Sequence, residues 1–394
     1  MKKNPDKVIV RKSYYTFSRE YPAGQIDTGR RHRRHRSKKR TALLSLLCAV
    51  LFCAAAALSF FWTDLSLKIS NRAPAQEETA AAVTDENGAV RTMLTDGGLR
   101  ALAVPAASIR DRASVKAVIK QLRRRDCNGV ILDFKARDGR LLFASLEQPA
   151  LLAKASLFSN ETVRNAIKQL RSADIGVIAR VFCFEDPLIA AQDPAFAVTY
   201  MDTQVPWLDK KEEDGGKAWL NPYSGKARGY LLKLLQEINA FAVSGIILES
   251  VCFPVGENPE TATFSGESGG AARGGVLERF LQKARAAVPA DRFLLVGMTA
   301  DDLRGGNADR YDGRLSFEAA DGVFVHTADA GNEDDPPKDY EAQVNAFSTL
   351  ESRLTAGQKL VLDLSLAQAG RRYLRALERE GFAYFAFTQE EAAA

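Results

Sequence analysis

The chain has 394 residues, and its content of 46% apolar and 26% charged residues is that of a globular protein. That excludes wholesale disorder and a collagen-like chain, and five cysteines are too few for a disulfide-built scaffold. Only three histidines occur, His32, His35 and His326, with two in a basic N-terminal stretch, so no His-rich metal centre is expected. The net charge of +5 averages two unlike regions. Residues 1–41 hold 14 Lys and Arg against 3 Asp and Glu, while the remainder is mildly acidic.

Residues 1–41 read as a basic cytoplasmic tail. Ala42–Trp62 follows as ALLSLLCAVLFCAAAALSFFW, without one charge. At ~1.5 Å per residue this stretch spans a ~30 Å hydrocarbon core, so it reads as a single transmembrane helix. The Lys/Arg run Arg30–Arg40 precedes it and Asp64 is the first charge after it. The positive-inside rule then keeps the tail in the cytoplasm and sends the C-terminal body outside the cell membrane. Ala73-Pro74-Ala75 resembles a signal cleavage site, but it lies well beyond a run that is long for a signal peptide, so an uncleaved anchor is favoured. Topology and contact with anionic lipid account for the basic tail more economically than nucleic acid does.

Residues 63–98 contain APAQEETAAAVTDENG, a composition that suits a flexible, disordered stalk. From residue 99 to 388, strand-length apolar runs alternate with amphipathic helical patterns. The expected strands are Leu99–Val104, Gly129–Phe134, Gly176–Phe182, Gly245–Val251, Phe293–Met298, Gly322–His326, Lys359–Leu364 and Phe382–Phe387. The expected helices are Ser114–Arg125, Glu161–Ala173, Gly225–Ala242, Val276–Ala287, Tyr340–Leu354 and Leu366–Glu380, with a short piece near Ser316–Ala320 between strands five and six. Eight strands apolar on both faces suit a parallel sheet, and eight units of this size match a (β/α)8 TIM barrel. An open doubly wound sheet is disfavoured because VPAASIRD, after the first strand, has no glycine-rich phosphate loop. Long connections follow the second, third and fourth strands, which places the functional face at the C-terminal ends of the strands.

The strand ends carry the candidate chemistry. Asp133 follows a buried apolar run and requires a partner, with Lys135 two residues on. Arg180 lies within an apolar strand and requires an anion, for which Asp133 on the neighbouring strand is the nearest. Phe182 and Phe184 offer faces for sugar stacking, although core packing is the commoner use. Glu249 ends the fourth strand as a second carboxylate. Two carboxylates on facing strand ends are what glycoside hydrolysis needs, one protonated as acid and one ionised as base or nucleophile. His326 reads either as a ligand contact or as a hydrogen-bonded rim histidine, and Asp363 sits in the seventh strand. No G-x-S-x-G elbow accompanies the histidine, and neither H-x-x-x-H nor C-x-x-C spacing occurs, so no metal or cofactor is expected. Cys127, Cys183 and Cys252 read as buried apolar residues. The acidic loop 329–335 reads as a solvated turn rather than a Ca²⁺ site.

The stretches 128–143 (NGVILDFKARDGRLLF), 175–198, 217–238 and 244–254 (SGIILESVCFP) resemble a glycoside hydrolase-like family of bacterial envelope proteins with α-amylase-type barrels, formerly a domain of unknown function. Asp133, Lys135, Arg180, Asp186 and Pro187 agree with the family's pattern. Elsewhere the sequence departs from it. Glu249-Ser250-Val251-Cys252-Phe253-Pro254 stands for Asp-Tyr-Val-Arg-Phe-Pro, which lengthens the carboxylate and removes a tyrosine and an arginine. Trp219-Leu220-Asn221-Pro222-Tyr223 stands for Trp-Val-Asp-Pro-Tyr, and His326-Thr327-Ala328-Asp329 replaces a proline- and tyrosine-rich segment.

The resemblance implies a membrane-anchored glycoside hydrolase acting on cell-wall or extracellular polysaccharide. Glu249 and Asp133 would be its carboxylates. Lys135, Arg180, Asp186, Trp219, Asn221, Tyr223, His326 and Asp363 would contact sugar or orient them. The alternative is a degenerate barrel that binds glycan or an envelope protein without hydrolysis. The replaced tyrosine and arginine and the glycine-rich loop Ser265–Gly275 favour it.

Overall fold

A computed structural model describes Leu94 and residues 98–266, 271–306, 308–313, 315–327, 340–365 and 370–388. The expected basic tail, the apolar span 42–62, nearly all of the stalk and the acidic loop 329–335 lie outside them. Among the described residues no helix is long and apolar enough to cross a membrane.

Eight parallel strands close into a barrel: β1 (Leu99–Val104), β2 (Gly129–Lys135), β3 (Gly176–Phe182), β4 (Gly245–Glu249), β5 (Phe293–Thr299), β6 (Gly322–His326), β7 (Lys359–Ser365) and β8 (Tyr384–Thr388). Each pairs with its sequence neighbour, and β8 closes onto β1. Six helices of nine residues or more cover the outside: α1 (Arg112–Arg124), α2 (Asn160–Arg171), α3 (Gly225–Ile238), α4 (Arg273–Ala287), α5 (Tyr340–Glu351) and α6 (Arg371–Arg379). This is the TIM-barrel order.

Side-chain alternation sorts two cores. Leu132, Ala179, Ile246, Leu248, Val296, Val323 and Leu362 face the helices. Ala101, Ile131, Ile178, Ile247, Leu295, Phe324, Val361 and Ala386 fill the barrel itself, one from each strand. The barrel is therefore plugged with apolar side chains, and a site must lie above that layer.

Helix starts follow local chemistry. Asp111, Ser159 and Ser224 accept hydrogen bonds from backbone amides three residues on, capping α1, α2 and α3. Two expectations at element level need correction. Residues 316–320 are not helical. Their place after β5 is taken by the short helices Ala300–Arg304 and Ala308–Tyr311, the first started by a capping box of Thr299 and Asp302. The fourth strand stops at Glu249 rather than Val251, because Ser250 turns into the left-handed region at φ 51°.

Lys135 is not the partner of Asp133. A β-bulge between the two residues breaks the alternation that would put them on one side. The Lys135 ammonium, fully buried, instead donates to the backbone carbonyls of Phe182 (2.5 Å) and Glu185 (3.3 Å) and pairs with Asp186 at 3.1 Å. Asp186 in turn accepts from the Ile189 amide. Burial pushes the Asp186 carboxyl up, and Lys135 opposes that. Gly139 is required beside this pair, since a Cβ there would come within 2.3 Å of Asp186 Oδ1. Lys135 and Asp186, both expected in the site, are thus a brace that fixes the loop leaving β3. Lys135→Ala should cost roughly 3–5 kcal/mol in urea unfolding by stranding a buried carboxyl, whereas Lys135→Met with Asp186→Leu should recover most of it.

Candidate active site

Two residues beyond the apolar layer, each strand contributes one further inward-facing position: Ala103, Asp133, Arg180, Glu249, Gly297, His326, Asp363 and Thr388. The layer changes from uniformly apolar to charged in a single step along the strands. This polar ring is the floor of the C-terminal mouth. Asp133, Arg180 and His326 keep some exposure, whereas Glu249 and Asp363 are buried.

Two linked sets of contacts make up the ring. On β2 and β3, Arg180 grips Asp133 with two bonds, Nε to Oδ1 at 2.5 Å and its terminal nitrogen to Oδ2 at 3.1 Å. Burial works against the guanidinium charge, but Asp133, with Glu249 and Asp363 behind it, outweighs burial and holds Arg180 protonated. This is the pairing expected from the sequence.

The other set runs from β4 to β8. His326 Nε2 lies 3.0 Å from Glu249 Oε2, and Nδ1 lies 2.9 Å from Asp363 Oδ2. Thr388 Oγ1 donates to the other Asp363 oxygen at 2.9 Å. Glu249 and His326 stand on strands separated by β5, and they meet only because β5 offers Gly297 between them. A Cβ at Gly297 would come within 1.9 Å of Glu249 Oε2. Burial disfavours charge on His326, yet the flanking Glu249 and Asp363 overcome it and raise the pKa to about 10. The imidazole is therefore doubly protonated at neutral pH, donating to a carboxylate on each side. Burial would raise the Glu249 carboxyl, but the charge and hydrogen bond of His326, then Arg180 and Arg137, bring it below the ordinary value. Glu249 is ionised, and its buried Oε1 has no hydrogen-bond partner among the described residues.

Several contributors escape a reading of strand ends. Gly297 and Thr388 belong to the ring, and their only sequence signal is their position two residues past an inward apolar residue. Phe182 lies between the guanidiniums of Arg137 and Arg180, 5.0 and 5.3 Å from its ring centroid. Phe184 is fully buried against Phe280, as core. Glu185 accepts from Ser250 Oγ at 3.0 Å, with Arg137 at 3.7 Å and Lys217 at 3.5 Å.

The other expected contacts hold the long loop between β3 and α3. Trp219 donates its indole N–H to Asp209 at 3.0 Å. Asn221 is buried, donating to the Ser265 carbonyl and accepting from the Tyr223 amide. Tyr223 donates its hydroxyl to the Ala271 carbonyl at 2.7 Å. These three bind protein groups rather than joining the ring. Among the described residues no group of three His, Cys, Asp or Glu side chains could hold a metal ion. Cys127, Cys183 and Cys252 are free and buried, and burial pushes their thiols up to about 11, 12 and 12.

Residues 101–300, half of the chain, match the family described as "Putative glycosyl hydrolase domain". The chain belongs to this family. No curated protein matches the sequence. Among solved structures, a hypothetical protein from Ruminiclostridium thermocellum is similar at 22% identity, over 50% of this chain and 96% of its own (TM-score 0.43). A GH20 exo-β-N-acetylglucosaminidase from Vibrio harveyi is similar at 13% identity, over 68% of this chain and 41% of its own (TM-score 0.44). The glycoside hydrolase domain of PelA from Pseudomonas aeruginosa is similar at 14% identity, over 74% and 95% (TM-score 0.40).

The raised pKa of His326 makes folding pH-dependent with a definite sign. Its pKa is about 10 in the fold against 6.5 for the free group, so the stabilisation is complete below pH 6.5 and is lost as pH rises through 10. Chemical unfolding between these limits should show stability falling by on the order of 1–2 kcal/mol after allowance for solvent screening. His326→Gln should flatten that slope, and Gly297→Ala should flatten it too by forcing Glu249 off the imidazole.

Proposed function

We propose that this barrel is an envelope glycoside hydrolase that takes cell-wall or extracellular polysaccharide at its C-terminal mouth, with Glu249 as the ionised carboxylate of the reaction. The observation that carries the reading is the state of Glu249. It is a buried carboxylate held ionised by His326 through one oxygen, while the other accepts no bond among the described residues. A carboxylate in that condition suits attack on an anomeric carbon or activation of a water. Membership of the glycosyl hydrolase domain family supports the same substrate class. The basic tail, the apolar span 42–62 and the stalk would tether the barrel to the outer face of the cell membrane.

The clamp on Asp133 favours a second reading. Hydrolysis needs one carboxyl held protonated to donate to the leaving oxygen. Asp133 is gripped at both oxygens by Arg180 and must be released before it can carry that proton. A mouth whose two carboxylates are both matched by cations is also what a barrel that binds glycan without cleaving it would present.

Residues 86–394, incubated with isolated bacterial cell wall and a panel of polysaccharides, should release new reducing ends. Glu249→Gln should lower that release by roughly 10²–10⁴-fold while glycan binding persists. Equal capture of both proteins by one glycan with no release from either would establish the second reading. Reporter fusions at the C-terminus test the orientation, which requires signal outside the cytoplasm.

A further inference from the structure

The outer face of α1 carries a charge pattern that the fold does not use. Residues 110–125 hold seven Lys and Arg against the single acid Asp111. Arg112, Lys116, Lys120 and Arg124 recur every four residues, all exposed, and so form one stripe along the helix. Lys116, Lys120, Arg123 and Arg124, with Ile119 between them, line a shallow surface groove. Among the described residues none of the four stripe residues has an acidic partner within ion-pair distance. Arg110, which reaches Asp111 at 3.4 Å, lies outside the stripe.

Such a stripe works against the helix that bears it. Like charges four residues apart repel across each turn, and Arg112 sits in the first turn, at the positive end of the helix dipole. The opposite face is ordinary core, with Val115, Val118 and Leu122 buried. Countercharge for the stripe must then come from outside the described fold.

We propose that this face of α1 binds a linear anionic polysaccharide, bearing carboxylate or phosphate on successive units. The cations repeat at ~6 Å along a row that winds gently round the helix, a spacing comparable with the length of one sugar unit. A bilayer fits less well, because the apolar side of α1 is spent on the barrel and leaves nothing to insert. Single-stranded nucleic acid also fits less well, because residues 110–125 contain no aromatic side chain on which a base could stack. The stripe lies on the outer wall of the barrel, so this binding is separate from the mouth and stands whether or not the mouth cleaves.

The test uses residues 86–394, one compact unit of the chain. That protein is titrated with polygalacturonate, wall teichoic acid, neutral dextran, phosphatidylglycerol vesicles and oligo-dT. Polygalacturonate or teichoic acid should bind, with affinity falling steeply as salt is added, and dextran should not. Lys116→Glu with Lys120→Glu and Arg124→Glu should weaken that binding by about tenfold or more. Lys120→Gln with Arg124→Gln serves if the triple variant misfolds. Glu249→Gln should leave this binding unchanged. Failure of both polyanions to bind, tighter binding to vesicles or oligo-dT, or equal binding by the α1 variants would each overturn the proposal.

Discussion

The mouth of this barrel is organised by one imidazolium held between two carboxylates. Among the described residues His326 alone hydrogen-bonds to both Glu249 on β4 and Asp363 on β7, and each contact makes the other more favourable. Two carboxylates raise the histidine's pKa, the protonated histidine keeps Glu249 ionised, and Thr388 satisfies the far oxygen of Asp363. The cooperation depends on an absence of atoms. A Cβ at Gly297 would block Glu249 from crossing β5 to reach His326. A glycine in the interior of a strand weakens it, and close approach of another group is the usual reason for its presence.

The same arrangement decides what chemistry is available. Burial alone would neutralise Glu249, as it does for carboxylic acids that serve as proton donors. Here His326, Arg180 and Arg137 outweigh burial, so Glu249 rests ionised. Three acids of the half-buried ring, Asp133, Glu249 and Asp363, share two cations, Arg180 gripping the first and His326 bridging the other two.

Much of this was legible in the sequence. The eight apolar runs gave the barrel because strands buried on both faces read as short, near-continuous apolar stretches, and the six longer helices followed from spacing. Asp133, Arg180, Glu249, His326 and Asp363 were conspicuous because charge inside an apolar run has few explanations. The Arg180 pairing was also foreseeable, since adjacent parallel strands bring those registers together. What failed was reach. Lys135 looked like the partner of Asp133 only while the strand was taken as regular, and a bulge is invisible in a string of residue types. Gly297 and Thr388 carry no chemical signal of their own. They matter only once the register is known, because a glycine's role is set by what passes over it. Trp219, Asn221 and Tyr223 looked like sugar contacts for their chemistry, but the long loop they occupy must satisfy its own backbone, and they serve that end.

The departures from the family's pattern then cease to be independent. The family places an aspartate after the fourth strand and a proline- and tyrosine-rich segment after the sixth, whereas this chain has Glu249 and His326. One extra methylene carries a carboxylate about 1 Å or more further, a displacement large enough to spoil a catalytic geometry by ~10²-fold if nothing compensates. In this chain the added length is what spans β5, and the histidine is what receives it. Glu249 without His326 would be a buried charge lacking its principal partner, and His326 without Glu249 would lose the larger of its two stabilising charges. Glu249, Gly297 and His326 form one matched set in this chain, since the acid passes over the glycine to meet the imidazole, and a side chain at Gly297 would part them.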